Sequence, residues 1–152
     1  MDNLFKQTDV ARPARLLVVE DERYIARFLE FVLKKEGYQV TLAVDGEQAL
    51  SIIESAKPDA VLLDLVLPGM SGLDVLRRIR ADERMSDLIV LILTARSFEE
   101  TPEEIILAGA DSHCAKPVAP TLLLRKLMDF GVSPILDQAR ERSEYREAAL
   151  TV

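Results

Sequence analysis

Little in this chain of 152 residues supports a role in redox, membrane or nucleic-acid chemistry. There is one cysteine, Cys114, and a lone thiol excludes an internal disulfide. No uninterrupted apolar stretch reaches the roughly 18 residues that a membrane span requires, and no basic start followed by an apolar run marks a secretory signal. The expectation is therefore a cytoplasmic chain with no membrane partner. Positive charge is also short: 19 Lys and Arg against 26 Asp and Glu give a formal net charge of -7. That balance argues against a nucleic-acid partner, which needs a basic patch to displace counterions from phosphates, and makes a divalent cation the more natural ligand. What is present is apolar residue, 49% of the chain, enough for one globular domain with a short appendage.

Short β-rich runs alternate with longer helical ones. "RLLVV" at 15–19 is a continuous apolar run ending in "EDE", as expected of a strand buried on both faces. Residues 22–36 follow as a helix, with Tyr24, Ile25, Phe28, Leu29, Val32 and Leu33 on one stripe, Phe31 off it and Gly37 as a C-terminal cap. "QVTLAV" at 39–44 gives a second strand, and Asp45-Gly46 turns the chain into a helix over 47–56 that ends at Lys57-Pro58-Asp59. "AVLLD" at 60–64 is a third strand. After Pro68-Gly69 come a helix over 72–83, the strand "LIVLIL" at 88–93, a helix over 99–108, a short strand at 112–115 and a last helix over 120–130. Five βα units imply a parallel sheet with helices on both faces, because parallel neighbours need crossover connections.

In open parallel sheets, ligands bind at the carboxyl ends of the strands. The stretch "LLDLVLPGMSG" places Asp64 at one such end; Glu20, Asp21 and Glu22 follow the first strand, Thr94 the fourth and Lys116 the fifth. Carboxylates brought together repel unless a cation neutralises them, and a cluster of oxygen donors without Cys or His suits a hard ion such as Mg²⁺. Taken alone, each residue has a plainer reading. Asp21 fits a helix cap or turn, Thr94 an N-cap, and Lys116 a solvated surface position. Their company at neighbouring strand ends favours a site. Gly69 and Gly72 read as serving backbone geometry, and Met70 and Ser71 as loop residues.

"LLVVEDE", "VLLDLVLPGMSG", "LILTA" and "GADSHCAKPV", in that order, resemble the receiver domain of two-component response regulators over residues 14–131. The resemblance implies the flavodoxin-like strand order 2-1-3-4-5 of a doubly wound five-stranded α/β sheet. It leaves residues 1–13 as an N-terminal tail and 132–152 as a helical C-terminal extension. It also implies that Asp64 accepts a phosphoryl group from a sensor histidine kinase or phosphotransfer protein. Asp21 matches a direct Mg²⁺ ligand, Glu20 an acid holding the metal through water, and the carbonyl of Val66 a further oxygen. Lys116 matches the lysine that pairs with the phosphoryl group, Pro117 the cis-proline that aims it, and Thr94 the switch hydroxyl. Ala95 leaves room for the phosphoryl group.

Three positions depart from the family pattern. Glu20 stands where Asp is usual and reaches one methylene further. His113 takes the place of a Tyr or Phe that rotates inward on activation; it is either a pH-sensitive switch element or an ordinary edge-strand histidine. Val66 and Arg96 occupy the two positions that tune dephosphorylation, and an apolar Val66 offers nothing to orient a hydrolytic water. The expectation is a phosphoacceptor with at most slow self-dephosphorylation, rather than an enzyme.

Beyond Gly131 the chain is too short for a helix-turn-helix or catalytic output module, so a stand-alone receiver is expected. Ser133-Pro134 makes a helix start, and residues 135–149 are either a solvated tail or a segment that docks on its own domain or on a second copy. Ile105, Ile106 and Leu107 cannot all face one core, and with Leu122 to Leu124 they mark a patch for a homodimer or an unidentified protein target. The main alternative is a pseudo-receiver that docks partners without phosphorylation. A haloacid-dehalogenase-type phosphatase would need a second Asp where Val66 stands. A flavodoxin would not need acids beside a bound phosphate.

Overall fold

The structure is a computed structural model that describes residues 12–95 and 100–134. Five strands and five helices alternate: β1 (Arg15–Val19), α1 (Arg23–Lys35), β2 (Gln39–Ala43), α2 (Gly46–Ala56), β3 (Ala60–Asp64), α3 (Gly72–Ala81), β4 (Ile89–Thr94), α4 (Pro102–Leu107), β5 (Ser112–Ala115) and α5 (Pro120–Asp129). All strand pairs are parallel, in the order β2-β1-β3-β4-β5. This is the doubly wound sheet that the alternation of runs implied. None of the described helices is long and apolar enough to cross a membrane.

Successive strand residues point to opposite faces, so each apolar strand feeds two cores. Leu17, Val19, Val61, Leu63, Val90 and Ile92 pack with α2, α3 and Ile105 of α4. Leu16, Val18, Leu62, Leu91, Leu93 and Cys114 pack on the other face with α1 and α5. The central strand β3 is buried at every position, which is why its sequence shows no polar alternation before Asp64.

Two helices differ from the sequence reading. In α1 the buried residues are Ala26, Leu29 and Leu33, while Tyr24 is 91% exposed, Phe28 49% and Phe31 67%. At 100° per residue, the stripe that faces the sheet is centred about half a turn away from Tyr24, so the helix carries a second, aromatic stripe facing outward. The other is α4, which starts at Pro102 rather than 99. There Thr101 caps it, its side chain accepting from Glu104 N while the Glu104 carboxylate accepts from Thr101 N. That reciprocal capping box fixes the start, and Pro102 at the first helical position donates nothing that needs a partner. Within α4, Ile105 is buried and Leu107 is 85% exposed, as consecutive apolar residues on a helix must diverge.

The α3–β4 and α4–β5 connections are tied together by one side chain. Arg80 donates from Nε to Gly109 O at 2.7 Å, from one terminal nitrogen to Ser86 O and Leu88 O at 2.8 and 2.6 Å, and from the other to Asp111 at 2.8 Å. The same Asp111 oxygen accepts from Val90 N, so a planar guanidinium satisfies carbonyls that lack a ladder partner.

Candidate functional site

The registers decide which residues meet at the carboxyl edge of the sheet. Asp64 is level with Leu93, which is level with Cys114. Thr94 and Ala115 lie one residue further out, and Lys116 extends the ladder by donating its amide to Thr94 O at 2.6 Å. On the other side of β3, Val19 pairs with Leu63, which brings Glu20 beside Asp64; the Glu20 amide continues the β1–β2 ladder by donating to Ala43 O.

Lys116 Nζ donates to Asp64 Oδ2 and to Glu20 Oε2, both at 2.8 Å. Glu20 and Asp64 are the buried charged residues among those described, 1% and 4% exposed. The second oxygen of each is also engaged: Glu20 Oε1 accepts from Glu22 N at 3.2 Å, and Asp64 Oδ1 from Val66 N at 3.0 Å. Burial pushes the Glu20 carboxyl up to about 7; the Lys116 hydrogen bond opposes that rise and the Asp64 charge adds to it. For Lys116, burial alone would lower the ammonium pKa, but hydrogen bonds to Asp64 and Glu20 raise it above its ordinary value. The lysine therefore stays charged between the two acids.

Asp21 is exposed at the rim. Glu20, Asp21 and Asp64 each offer a carboxylate oxygen within 4.8 Å of the others, a donor set of hard oxygens that fits Mg²⁺ and has no soft ligand to select a transition metal. The Lys116–Pro117 peptide is cis. Val66 is exposed on the loop after β3, and Thr94 is half-buried at the end of β4. His113 is half-buried on β5 opposite Ile92, and its carbonyl accepts from Lys126 Nζ. Arg96 and the C-terminal extension from 135 onward lie outside the described residues.

Of two supporting residues, Ser71 carries more than its sequence reading and Gly72 carries the backbone role expected of it. Ser71 is not merely a loop residue: its hydroxyl accepts from Asp74 N and caps α3, a placement that its position before "GLDVL" signals. Gly72 packs directly under the acid. A Cβ there would meet Asp64 O at 2.2 Å and Leu65 Cα at 2.7 Å, so glycine lets α3 begin against the β3 backbone.

Comparison with known proteins places this geometry. The family model described as response regulator receiver domain matches residues 16–128. The response regulator MprA of Mycolicibacterium vanbaalenii is 42% identical over 115 residues, covering 76% of this chain and 49% of the relative. The DNA-binding response regulator MtrA of Mycobacterium tuberculosis is 40% identical over 115 residues, covering 74% and 48%. The chain thus spans about half the length of these two relatives. Among solved structures, the receiver domain of sensor histidine kinase PA1611 from Pseudomonas aeruginosa, with magnesium coordinated in its active-site cleft, superposes with a TM-score of 0.71 at 34% identity, over 78% of this chain and 97% of that one. The chemotaxis protein CheY4 of Vibrio cholerae gives a TM-score of 0.72 at 29% identity, over 78% and 98%.

Proposed function

Since the chain belongs to the response regulator receiver domain family, we propose that it works as a phospho-accepting switch in two-component signal transduction, with Asp64 as the acceptor. The observation that carries this reading is the buried Asp64 held by Lys116 at the edge of the sheet, beside two further acids. A carboxylate oxygen of Asp64 attacks the phosphorus of a phosphohistidine on a sensor histidine kinase or phosphotransfer protein. The new O–P bond replaces the P–N bond, and the imidazole leaves. The Val66 amide fixes the plane of the carboxylate through Oδ1. Lys116 transfers its charge from the free carboxylate to the phosphoryl oxygens, which keep it paired throughout.

Glu20, Asp21, Asp64 and the carbonyl of Val66 would hold Mg²⁺, which when bound neutralises charge that builds up on the phosphoryl oxygens. After transfer, the Thr94 hydroxyl donates to a phosphoryl oxygen and draws in the loop that follows β4, with Ala95 leaving space and His113 responding from β5. That shifts an equilibrium between two arrangements of the α4–β5–α5 face, where Ile106, Leu107 and Leu122 are exposed for a second copy or a protein target. Exposed Val66 offers no group to orient a hydrolytic water and Arg96 is its companion in tuning, so phosphate loss is slow. The acidic balance of the chain supports protein partners in the cytoplasm rather than nucleic acid for this domain.

The test is intact mass after incubation with Mg²⁺ and acetyl phosphate, beside Asp64→Asn and metal-free controls. One added phosphoryl group, absent from both controls, is the expected result. No addition to folded protein across several donors would replace this reading with a pseudo-receiver that docks partners without phosphorylation.

A further inference from the structure

Among the described residues, one buried side-chain donor has no partner: the Nε of Arg15. A buried N–H left unpaired is costly, and one in a folded chain calls for an acceptor. Arg15 opens β1, at the edge of the sheet opposite the acidic site. At a rise of about 3.3 Å per residue it lies about 16 Å from Glu20 at the other end of that strand.

The strand register builds a site around it. Arg15 is level with Gln39, and Leu17 with Thr41, so these four side chains stand on one face of the sheet, the face that α2 covers. Between them and α2 lies a cavity of about 80 Å³, lined by Arg15, Gln39 and Thr41 and by the apolar Leu17, Ile52 and Ala56. A water molecule takes up roughly 30 Å³ in the liquid, so only a small ligand fits.

The lining selects its chemistry. A guanidinium presents Nε and a neighbouring Nη as a flat fork that matches the two oxygens of a carboxylate, and the Gln39 amide and Thr41 hydroxyl add donors from β2. The Arg15 charge is not spent on Asp59, which is held by Arg12 at 2.8 and 2.9 Å and takes only the main-chain amide of Arg15. The carboxyl end of α2 lies at Ala56, and its partial negative charge opposes a dianion. The apolar wall suits a short alkyl body.

We propose that this cavity binds a short-chain monocarboxylate of the acetate or propionate type, with its carboxylate on Arg15 and its alkyl end against α2. The site is separate from phosphoryl transfer at Asp64 and needs no metal. Occupancy ties the edge strand β2 and the end of α2 to β1, so the ligand stabilises the fold.

The test follows the arginine Nε–H signals of the full chain by proton–nitrogen NMR in metal-free buffer, with sodium acetate added against sodium chloride at equal ionic strength. The Arg15 signal, assigned by its loss in Arg15→Gln, is expected to shift saturably with half-saturation at about 1 mM, the affinity that so few atoms can supply. The Arg80 signal is expected to stay in place, because its guanidinium is already filled by Gly109, Ser86, Leu88 and Asp111. Acetate is also expected to raise the urea midpoint of the unaltered protein but not that of Arg15→Gln, which keeps the main-chain contact to Asp59. Thr41→Val holds its shape, leaves Arg15 in place and is expected to bind acetate about tenfold more weakly. An Arg15 shift no larger in acetate than in chloride overturns the proposal, as does an unchanged affinity in Thr41→Val. A larger response to phosphate than to acetate also overturns it, in favour of a general oxyanion site.

Discussion

Lys116 Nζ lies 2.8 Å from Asp64 Oδ2, although 52 residues separate the two in the chain. The contact crosses β4, which lies between β3 and β5 in the sheet, and it works because the lysine stem extends past the end of the ladder to a carboxylate lying below it. The same ammonium bridges to Glu20, so one cation balances two buried acids.

Lys116→Ala removes that balance. Breaking a buried ion pair leaves an uncompensated charge at a cost of about 3–5 kcal/mol, and here two carboxylates are left facing each other. Urea unfolding in metal-free buffer is expected to show a loss of that order, and added Mg²⁺ is expected to restore more stability to the variant than it gives the unaltered protein.

Gly72→Ala tests the close approach of α3 to β3. The added methyl overlaps Asp64 O and Leu65 Cα, which are backbone atoms and cannot rotate away. Destabilisation of about 1–3 kcal/mol is expected from overpacking, measured by urea unfolding, with a lower rate of acetyl phosphate labelling because Asp64 shifts with its own carbonyl.

Arg80→Lys is expected to cost nearly as much as Arg80→Met. A lysine keeps the charge but lacks the planar fork that reaches Gly109, Ser86, Leu88 and Asp111 together. Several carbonyls then lose their donor at about 1–3 kcal/mol for each left buried and unpaired. Thermal unfolding of the two variants decides it; full rescue by lysine would show that charge alone matters.

Asp59 gives a pH signature at the opposite end of the sheet. Burial would raise its carboxyl, but the Arg12 guanidinium and the Arg15 amide outweigh that and hold it below the usual range. A carboxyl lowered on folding stabilises fully above its unfolded value of about 3.9, and that contribution disappears as pH falls through the lower folded value. Arg12 is well exposed, which limits the pair to about 1 kcal/mol or less. Asp59→Asn should therefore lower the unfolding midpoint at pH 7 and leave it almost unchanged near pH 2.

The strands were legible because burial on both faces leaves a plain signature: "LLVV", "AVLL" and "LIVLIL" have no polar alternation to confuse with an amphipathic helix. The acids and Lys116 could be placed at strand ends for the same reason, since each follows an apolar run directly. The details that eluded the sequence depend on angle and on side-chain reach. Tyr24 and Leu29 both belong to an apolar set on α1, and only packing against the sheet decides that Leu29 is inside and Tyr24 outside. The start of α4 is signalled by "TPEE", where Thr101 and Glu104 stand three apart as a capping box, although the pattern of the sequence alone predicts a start at 99. That Glu20 turns both oxygens to Lys116 and its own loop, rather than only towards Asp21, could not be inferred from residue type.

The two apolar clusters on either side of the sheet have no residue in common. The strands thus act as a partition, and a cavity opened behind α3 is out of contact with one opened behind α1. Changes on separate faces combine additively when they share no neighbours. The helices on one face can therefore drift in sequence to suit a new partner while those on the other keep theirs, and the edge of the sheet that carries Asp64 stays fixed between them.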